Sequence, residues 1–506
     1  MGIAVTENWN SARHRTAIGR GDLSMPARQG LQDGIIGPGS SVLDYGCGRG
    51  QDAARLQQMG FEAHGWDPYY ASDTPLVNHD VVMLTYVLNV IEDPAERRET
   101  LDRAWKLATK ALIVACRLKW EQNAFKGPSA CDGFVTSRQT FQHLYGTSEL
   151  RELVEQVSGT RCISPVPGVV YAFRNDDDRF AYLARGTIGD YMWADSSDYA
   201  SALAEVIAFT ENRGRPPLFE EMPQEFLPIL GKVSRRSLLE AIYKGVAPER
   251  VAEGVRRSTL DTLLYLGTSI FNGRAAFADL PAGVQADVKR CFKSYREACA
   301  RADRLLAKIR DDAYIRGAMQ NSPGKMTATA LYVHRRAVGK IPVVLRLYEY
   351  CGFVAGGRPA DWNILKLDHR GRRVSWSSYP EFDTKPHPTL DWTYGVDMSK
   401  LEGSFQSFRE RSNRPLLHRK EEFLAPDDPD VPKYRRLTAA EVRAGLYQNP
   451  TLIGLEEGWA AELERCGVTL RGHRLIKCDM RKGEGQSPIR AGSRQSGLDC
   501  RSGRMA

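Results

Sequence analysis

The chain has 506 residues, 42% of them hydrophobic and 26% charged, a balance that suits a globular protein of two to four domains and excludes a fibrous or low-complexity one. No run approaches the roughly 18 apolar residues that a membrane span needs, and the start has no apolar segment after a basic stretch, so a cytoplasmic location and no membrane partner are expected. A net charge of +8 is modest for this length and is compatible with, but does not demand, a polyanionic partner.

From Ser41 to about Arg174 the pattern alternates strand and helix, which predicts an α/β fold with a doubly wound, Rossmann-like sheet. SVLDYG reads as the first strand and QDAARLQQMG as a helix whose Ala54, Leu56 and Met59 face the sheet. EAHGWD is the second strand and DVVMLTYVLNVI a buried parallel strand with its exit loop. PAERRETLDRAWKLATK opens on Pro94 and places Leu101, Trp105 and Ala108 on one stripe, and the strand ALIVACRL follows. A helix over Ser137–Val157 and strands at RCISPV and VVYAFRN complete the predicted sheet.

The charge run NDDDR, Asn175–Arg179, predicts a boundary. The expected division is an N-terminal segment 1–40 packing on a domain 41–180, a helical domain 197–323, a mixed α+β domain 324–480 and a disordered basic tail 481–506. One helical periodicity runs through Val284, Val288, Cys291, Tyr295, Cys299, Ala302, Leu306 and Ile309. NILKLDHRGRRVSWSSY reads as a hairpin, with Ile364, Leu365 and Leu367 on one arm and alternating Val374 and Trp376 on the other. The ten cysteines show no Cys-x-x-Cys pair and no Cys/His set at zinc spacing, so reduced thiols and no metal are expected. MGIAVT fits the loose myristoylation pattern at Gly2 and Thr6, one that matches often by chance.

The stretch VLDYGCGRGQD carries the most chemistry. A nicotinamide turn reads G-x-G-x-x-G, whereas here Gln51 takes the third position and Gly50 makes the pattern G-x-G-x-G. Asp44, two residues before Gly46, repels a pyrophosphate and welcomes a cationic amino-acid moiety, which suits S-adenosylmethionine. Gly46, Gly48 and Gly50, with Tyr45 and Cys47 between and before them, let the main chain approach the ligand. Asp67, at the end of the second strand, is placed to accept the ribose hydroxyls. Only twelve residues separate Asp67 from Asp80, too few for a helix and another strand, so the third strand of a full methyltransferase sheet is expected to be missing.

The blocks HRTAIGRGDLSMP, DYGCGRGQD, GWDPY and YVLNVIEDPAERRETLDRAW resemble the N-terminal signatures of the DNA phosphorothioation-associated methyltransferase family. The likeness continues through GKMTATALYVHRRAV, VSWSSYPEFDTKPHPTL, RPLLHRKEEFL, LTAAEVRAGL and LIGLEEGW. It implies a class I methyltransferase using S-adenosylmethionine in a bacterial system that puts sulfur into the DNA backbone, with DNA and proteins of that system as partners. Methylation of RNA, a protein or a small molecule stays open, as does a non-catalytic regulator that binds S-adenosylmethionine and engages DNA or proteins.

Candidates for the chemistry are sparse. Thr85–Asn89, the exit of the strand that faces the methyl group in this fold, holds no D-P-P-Y, and Cys116 is not in a Pro-Cys context. Tyr86 and Asn89 remain as catalytic candidates, with a core tyrosine and a helix-capping asparagine as the alternatives. His14 and Arg15 precede the sheet in a segment able to fold over the cofactor mouth or to lie exposed. Arg335 and Arg336, with Lys325 and Lys340 near, form the stretch most like a phosphate contact, and a solvated face explains them equally. His387 and His418 sit in charged, proline-bounded loops as further substrate-binding candidates.

Overall fold

The computed structural model describes residues 9–17, 19–124, 127–187, 191–196 and 198–478. Gly2, Thr6 and the basic tail 481–506 lie outside them. The first described element is a 3₁₀ turn, Trp9–Thr16, followed by α1 (Met25–Gln32), which Ser24 caps by accepting from the Ala27 amide. The chain then runs through β1 (Ser41–Tyr45), α2 (Gln51–Gln58), β2 (Glu62–Trp66), β3 (His79–Thr85), α3 (Pro94–Leu107) and β4 (Ala108–Ala115). A small sheet of β5 (Ser129–Ala130), β6 (Gly133–Val135) and β7 (Phe141–Gln142) precedes α4 (Thr147–Ser158) and β8 (Val169–Phe173).

The main sheet has the order β2-β1-β3-β4-β8, parallel except for β8. It is buried on both faces, so neighbouring residues of one strand enter different cores. Val42, Val81, Met83, Ile113 and Tyr171 pack with Ala27 and Leu56 on one side. Leu43, Val82, Leu84, Leu112 and Val170 pack with Leu101, Trp105, Leu150 and Val154 on the other. This two-sided burial is why the strands read as continuous apolar runs and not as alternation. No strand lies between Trp66 and His79 among the described residues, and β2 forms the sheet edge.

Two expectations are corrected. RCISPV adds only a single bridge, Ile163 to Tyr171, because Pro165 and Pro167 have no amide to extend a ladder. The helix expected over Ser137–Val157 begins only at Thr147. Before it, the His143 amide donates to Asn89 O at 2.7 Å and the Tyr145 amide to Arg117 O at 3.0 Å, so tertiary pairing overrides local helix propensity.

Helix α5 (Asp176–Thr187) occupies the charge run, and its Phe180 and Leu183 join the first core. The helices α6 (Tyr199–Arg213), α7 (Phe226–Leu230), α8 (Arg235–Gly245), α9 (Pro248–Ser269), α10 (Ala282–Cys291), α11 (Tyr295–Ala307) and α12 (Asp312–Gln320) follow. The single periodicity through Val284–Ile309 is divided between α10 and α11. Phe292 is extended, and Ser294 starts α11 by accepting from the Glu297 amide at 3.1 Å. Leu263 and Tyr265 of α9, with Val284, Ala298 and Ala302, belong to the same core as one face of the sheet, so the helical layer packs directly on it.

The remaining chain forms β9 (Lys325–Met326), β10 (Ala330–His334), α13 (Val343–Gly356), β11 (Ile364–Asp368), β12 (Arg373–Ser378), β13 (Trp392–Asp397), β14 (Glu402–Ser407), α14 (Val431–Arg443), α15 (Glu456–Arg465), β15 (Val468–Arg471) and β16 (Arg474–Lys477). The strands β14-β13-β12-β11-β10-β9 make an antiparallel sheet, in which β11 and β12 are the expected hairpin, pairing Leu365 with Trp376 and Leu367 with Val374. Trp376 is fully buried against α13, and its indole donates to Glu349 Oε1 at 3.1 Å. Trp376→Ala is expected to cost about 3–5 kcal/mol of stability, measured by chemical denaturation.

Candidate functional site

The carboxyl ends of β1, β2 and β3 meet at the point where the strand order reverses, the place where open α/β sheets bind ligands. A cleft of about 960 Å³ opens there, lined by Asp44, Tyr45, Gly46, Cys47, Gly48, Asp67, Tyr86 and Asn89. The glycines of the turn after β1 all have left-handed backbone, with φ of 80° at Gly46, 53° at Gly48 and 71° at Gly50. A Cβ on Gly46 would lie 2.4 Å from Val87 Cγ2, and one on Gly48 would lie 3.0 Å from Ala17 Cβ. Glycine is therefore required for conformation at all three sites and for close approach at two. The Gly46 and Cys47 amides both donate to Trp66 O, at 2.7 and 3.0 Å, which ties the turn to the end of β2.

Asp44 is 3% exposed, and its Oδ1 has no hydrogen-bond partner. Burial, then the nearby Asp52 carboxylate, push it up to about 8, with Asp67 adding to the rise and Arg20 opposing it. A buried acceptor left unpaired costs stability unless a ligand supplies a donor. Asp67 is differently placed: Oδ1 accepts from the Tyr69 and Tyr70 amides at 2.9 and 3.0 Å, and Oδ2 from the Gly48 amide at 3.0 Å. With two lone pairs per oxygen, Oδ1 is full and Oδ2 keeps one. The sequence expectation that Asp67 takes both ribose hydroxyls is thus reduced to one unshared hydrogen bond.

The N-terminal segment crosses the cleft mouth. His14 stacks on Tyr69 with centroids 4.1 Å apart, and His14 O accepts from the Tyr70 hydroxyl at 3.0 Å. Arg13 pairs with Glu92 and Glu96, and its Nε donates to Glu92 Oε2 at 2.9 Å. The Arg20 amide donates to Gln51 Oε1, and Arg55 donates to Arg20 O at 2.6 Å. Arg15 lines the cleft and is exposed. Arg13, Arg20, Gln51 and Asp52 were missed in the sequence. The signal was Arg13 and the block HRTAIGRGD after it, whose residues have partners as far as 83 positions away for Arg13 and 56 for His14.

At the exit of β3, Tyr86 has a φ of 60°, which is rare and strained for a bulky residue. Its ring lies beneath the Arg20 and Arg117 guanidiniums, at 5.3 and 5.6 Å. Burial raises its hydroxyl above the usual range against the pull of both arginines, so it stays protonated and is a donor, not a base. Asn89 is 1% exposed and is a clamp: Nδ2 donates to His143 O at 2.5 Å, and Oδ1 accepts from the Arg117 amide at 2.9 Å. Its amide is committed to backbone, which corrects the expectation that it faces the ligand as a free polar group. Burial also pushes the Cys116 thiol well up, which removes it as a nucleophile.

The other candidates are not brought to the cleft. Arg336 pairs with Asp428 and Asp430, each at 3.1 Å, and with Asp383 at 3.5 Å. Lys340 pairs with Asp427 at 2.6 Å and Lys325 with Glu422 at 2.9 Å. Arg335 donates to Ala360 O at 3.2 Å and lies over Trp362. The expected phosphate grip is therefore largely neutralised from within. His387 and His418 are not solvated: their rings are 4.5 Å apart beside Trp459, with His387 Nε2 on Glu441 Oε1 at 2.7 Å and His418 Nε2 on Ile453 O at 2.6 Å. Burial, with His387 adding to it, pushes His418 down to about 4 and holds it neutral near pH 7.

Two outcomes follow from these contacts. The protonated Asp44 favours folding, a contribution present below about pH 4 and lost as pH rises through about 8. Asp44→Asn is therefore expected to raise Tm at pH 9 and to change it little at pH 4, measured by thermal unfolding across pH. Because Asp383, Asp428 and Asp430 already neutralise it, Arg336→Ala is expected to leave the salt dependence of any DNA affinity unchanged, measured by filter binding.

No protein-family model matches the chain, and no curated protein matches it. Solved structures resemble part of it. Magnesium protoporphyrin IX methyltransferase from Synechocystis PCC 6803, with bound S-adenosylhomocysteine, is 18% identical over 33% of this chain and 95% of its own, with a TM-score of 0.22. The 1,6-didemethyltoxoflavin-N1-methyltransferase of Burkholderia thailandensis is 17% identical over 30% of this chain and 78% of its own, at 0.24. A sugar N-methyltransferase from Streptoalloteichus sp ATCC 53650 is 14% identical over 35% of this chain and 96% of its own, at 0.25. Values this low carry neither activity nor substrate to this chain, whose reading rests on its own sheet and cleft.

Proposed function

We propose that the chain is an S-adenosylmethionine-dependent methyltransferase, with its cofactor laid across the turn after β1. The observation that carries this reading is the buried, unpartnered oxygen of Asp44 in the cleft. An ammonium group is the partner that satisfies it, and its positive charge favours the ionised carboxylate. The left-handed glycines allow a ligand against the main chain, and the spare lone pair on Asp67 Oδ2 suits a ribose hydroxyl. Bound there, S-adenosylmethionine would supply an electrophilic methyl group to an acceptor's lone pair, with the pair of the C–S bond left on sulfur.

The chain's own contribution is placement, which is worth up to about 7–11 kcal/mol in a two-reactant step. Tyr86, protonated and held by its strained backbone, donates toward the acceptor. Asn89 positions it by locking the loop after β3 to the segments at Arg117 and His143. A proton on the acceptor leaves to solvent, since Tyr86 serves as a donor and not as its base. DNA of a phosphorothioation system is the favoured setting, supported by the resemblance of the sequence blocks. Support from the basic stretch weakens with the pairing of Arg336 to Asp428 and Asp430.

Calorimetry with S-adenosylhomocysteine tests the cofactor. Asp67→Ala is expected to weaken binding by about 1.5–3 kcal/mol, and Gly48→Val to abolish it; wild-type affinity in both overturns the assignment. Radiolabelled methyl transfer to DNA, RNA and protein fractions from a strain lacking this chain tests the acceptor. Label is expected in DNA, whereas label elsewhere names another acceptor and silence in all favours a non-catalytic regulator.

A further inference from the structure

Beside the cofactor cleft lies a second cavity of about 410 Å³. Arg20, Tyr86 and Arg117 line both, so the strained tyrosine and its two guanidiniums are the shared wall. Arg28 lines the second cavity alone. Among the described residues that line it, Glu121 is the one carboxylate, and it is already used: it pairs with Arg117 at 2.8 Å and accepts from the Leu118 amide at 2.9 Å. Arg20 is only 4.0 Å from its nearest carboxylate partner, Asp52, and Arg28 has a solvent-exposed pairing with Asp22 at 3.4 Å. Two guanidiniums thus outweigh the acids in a half-enclosed space whose other walls are Met25, Trp120 and Pro167.

We propose that this cavity is the acceptor pocket and that the acceptor carries an anion, a carboxylate or a phosphate, gripped by Arg20 and Arg28 with its organic body against Met25, Trp120 and Pro167. The inference rests on the cofactor reading, because only a donor in the larger cleft makes the Tyr86 wall a transfer point. Guanidinium is the group suited to such anions, since its planar fork matches both oxygens. Tyr86, at the wall, then donates to the nucleophile's side of the acceptor and orients a lone pair toward the cleft. In the transfer one bond to carbon forms, the C–S bond breaks with its pair left on sulfur, and the proton of the nucleophile goes to water.

The test is calorimetry on the full chain saturated with S-adenosylhomocysteine, which fills the larger cleft. Two pairs of probes differ in charge: AMP against adenosine, and 4-hydroxybenzoate against 4-hydroxybenzyl alcohol. The anionic member of at least one pair is expected to bind about tenfold tighter than its neutral mate, and the pair that responds tells phosphate from carboxylate. Arg28→Gln, away from the cofactor cleft, is expected to erase most of that preference while leaving S-adenosylhomocysteine affinity unchanged, and Arg20→Gln to lower the preference as well. Equal binding of charged and neutral members, no binding by any of the four, or a preference untouched in Arg28→Gln overturns the proposal. Failure of S-adenosylhomocysteine itself to bind overturns the cofactor reading instead.

Discussion

Burial of the central sheet on both faces is the constraint from which the rest of the molecule follows. Such a sheet needs apolar cover on each side. Here α3 and α4 cover one face, while α1, α2, α5 and the helical layer built on α9 cover the other. The helical layer is thus part of the first core and not an appendage. With both faces closed, the carboxyl edge of the strands is where the sheet meets solvent and ligand. No strand lies beyond β2 among the described residues, so that edge is narrow, and the reversal sits between β1 and β3.

That edge gathers acids. Asp44, Asp52 and Asp67 stand close enough for their charges to act on one another, and the three are treated differently. Asp67 is saturated on one oxygen by turn amides, Asp52 accepts from the Ser24 amide at 2.8 Å, and Asp44 alone is buried with an orphan oxygen. Satisfying two of three makes the third the point of highest electrostatic demand. A cationic ligand group relieves it more than a neutral one.

What was legible in the sequence was local. The glycine spacing, Asp44 before it and Asp67 at the next strand end lie within one strand-turn-helix-strand unit, whose geometry is set by short-range rules. The hairpin of β11 and β12 is local in the same sense. What was illegible depended on distant partners. Arg336 looks like a free cation until Asp383, Asp428 and Asp430 close around it, and His387 looks solvated until Glu441 and Trp459 bury it. The late start of α4 has the same origin, because the residues before it give their amides to Asn89 and Arg117. Asn89 itself read as a site residue because it lies in the right loop. Only its contacts show that it serves the loop.

The segment across the cleft mouth is held chiefly by charge. Arg13 bridges Glu92 and Glu96 at partly exposed positions, with the Tyr70 hydroxyl on His14 O as a neutral fastening. Pairs of this kind are screened by salt more than a charge buried as deeply as that of Asp44. Raising the ionic strength is therefore expected to loosen this fastening before it alters the field around Asp44.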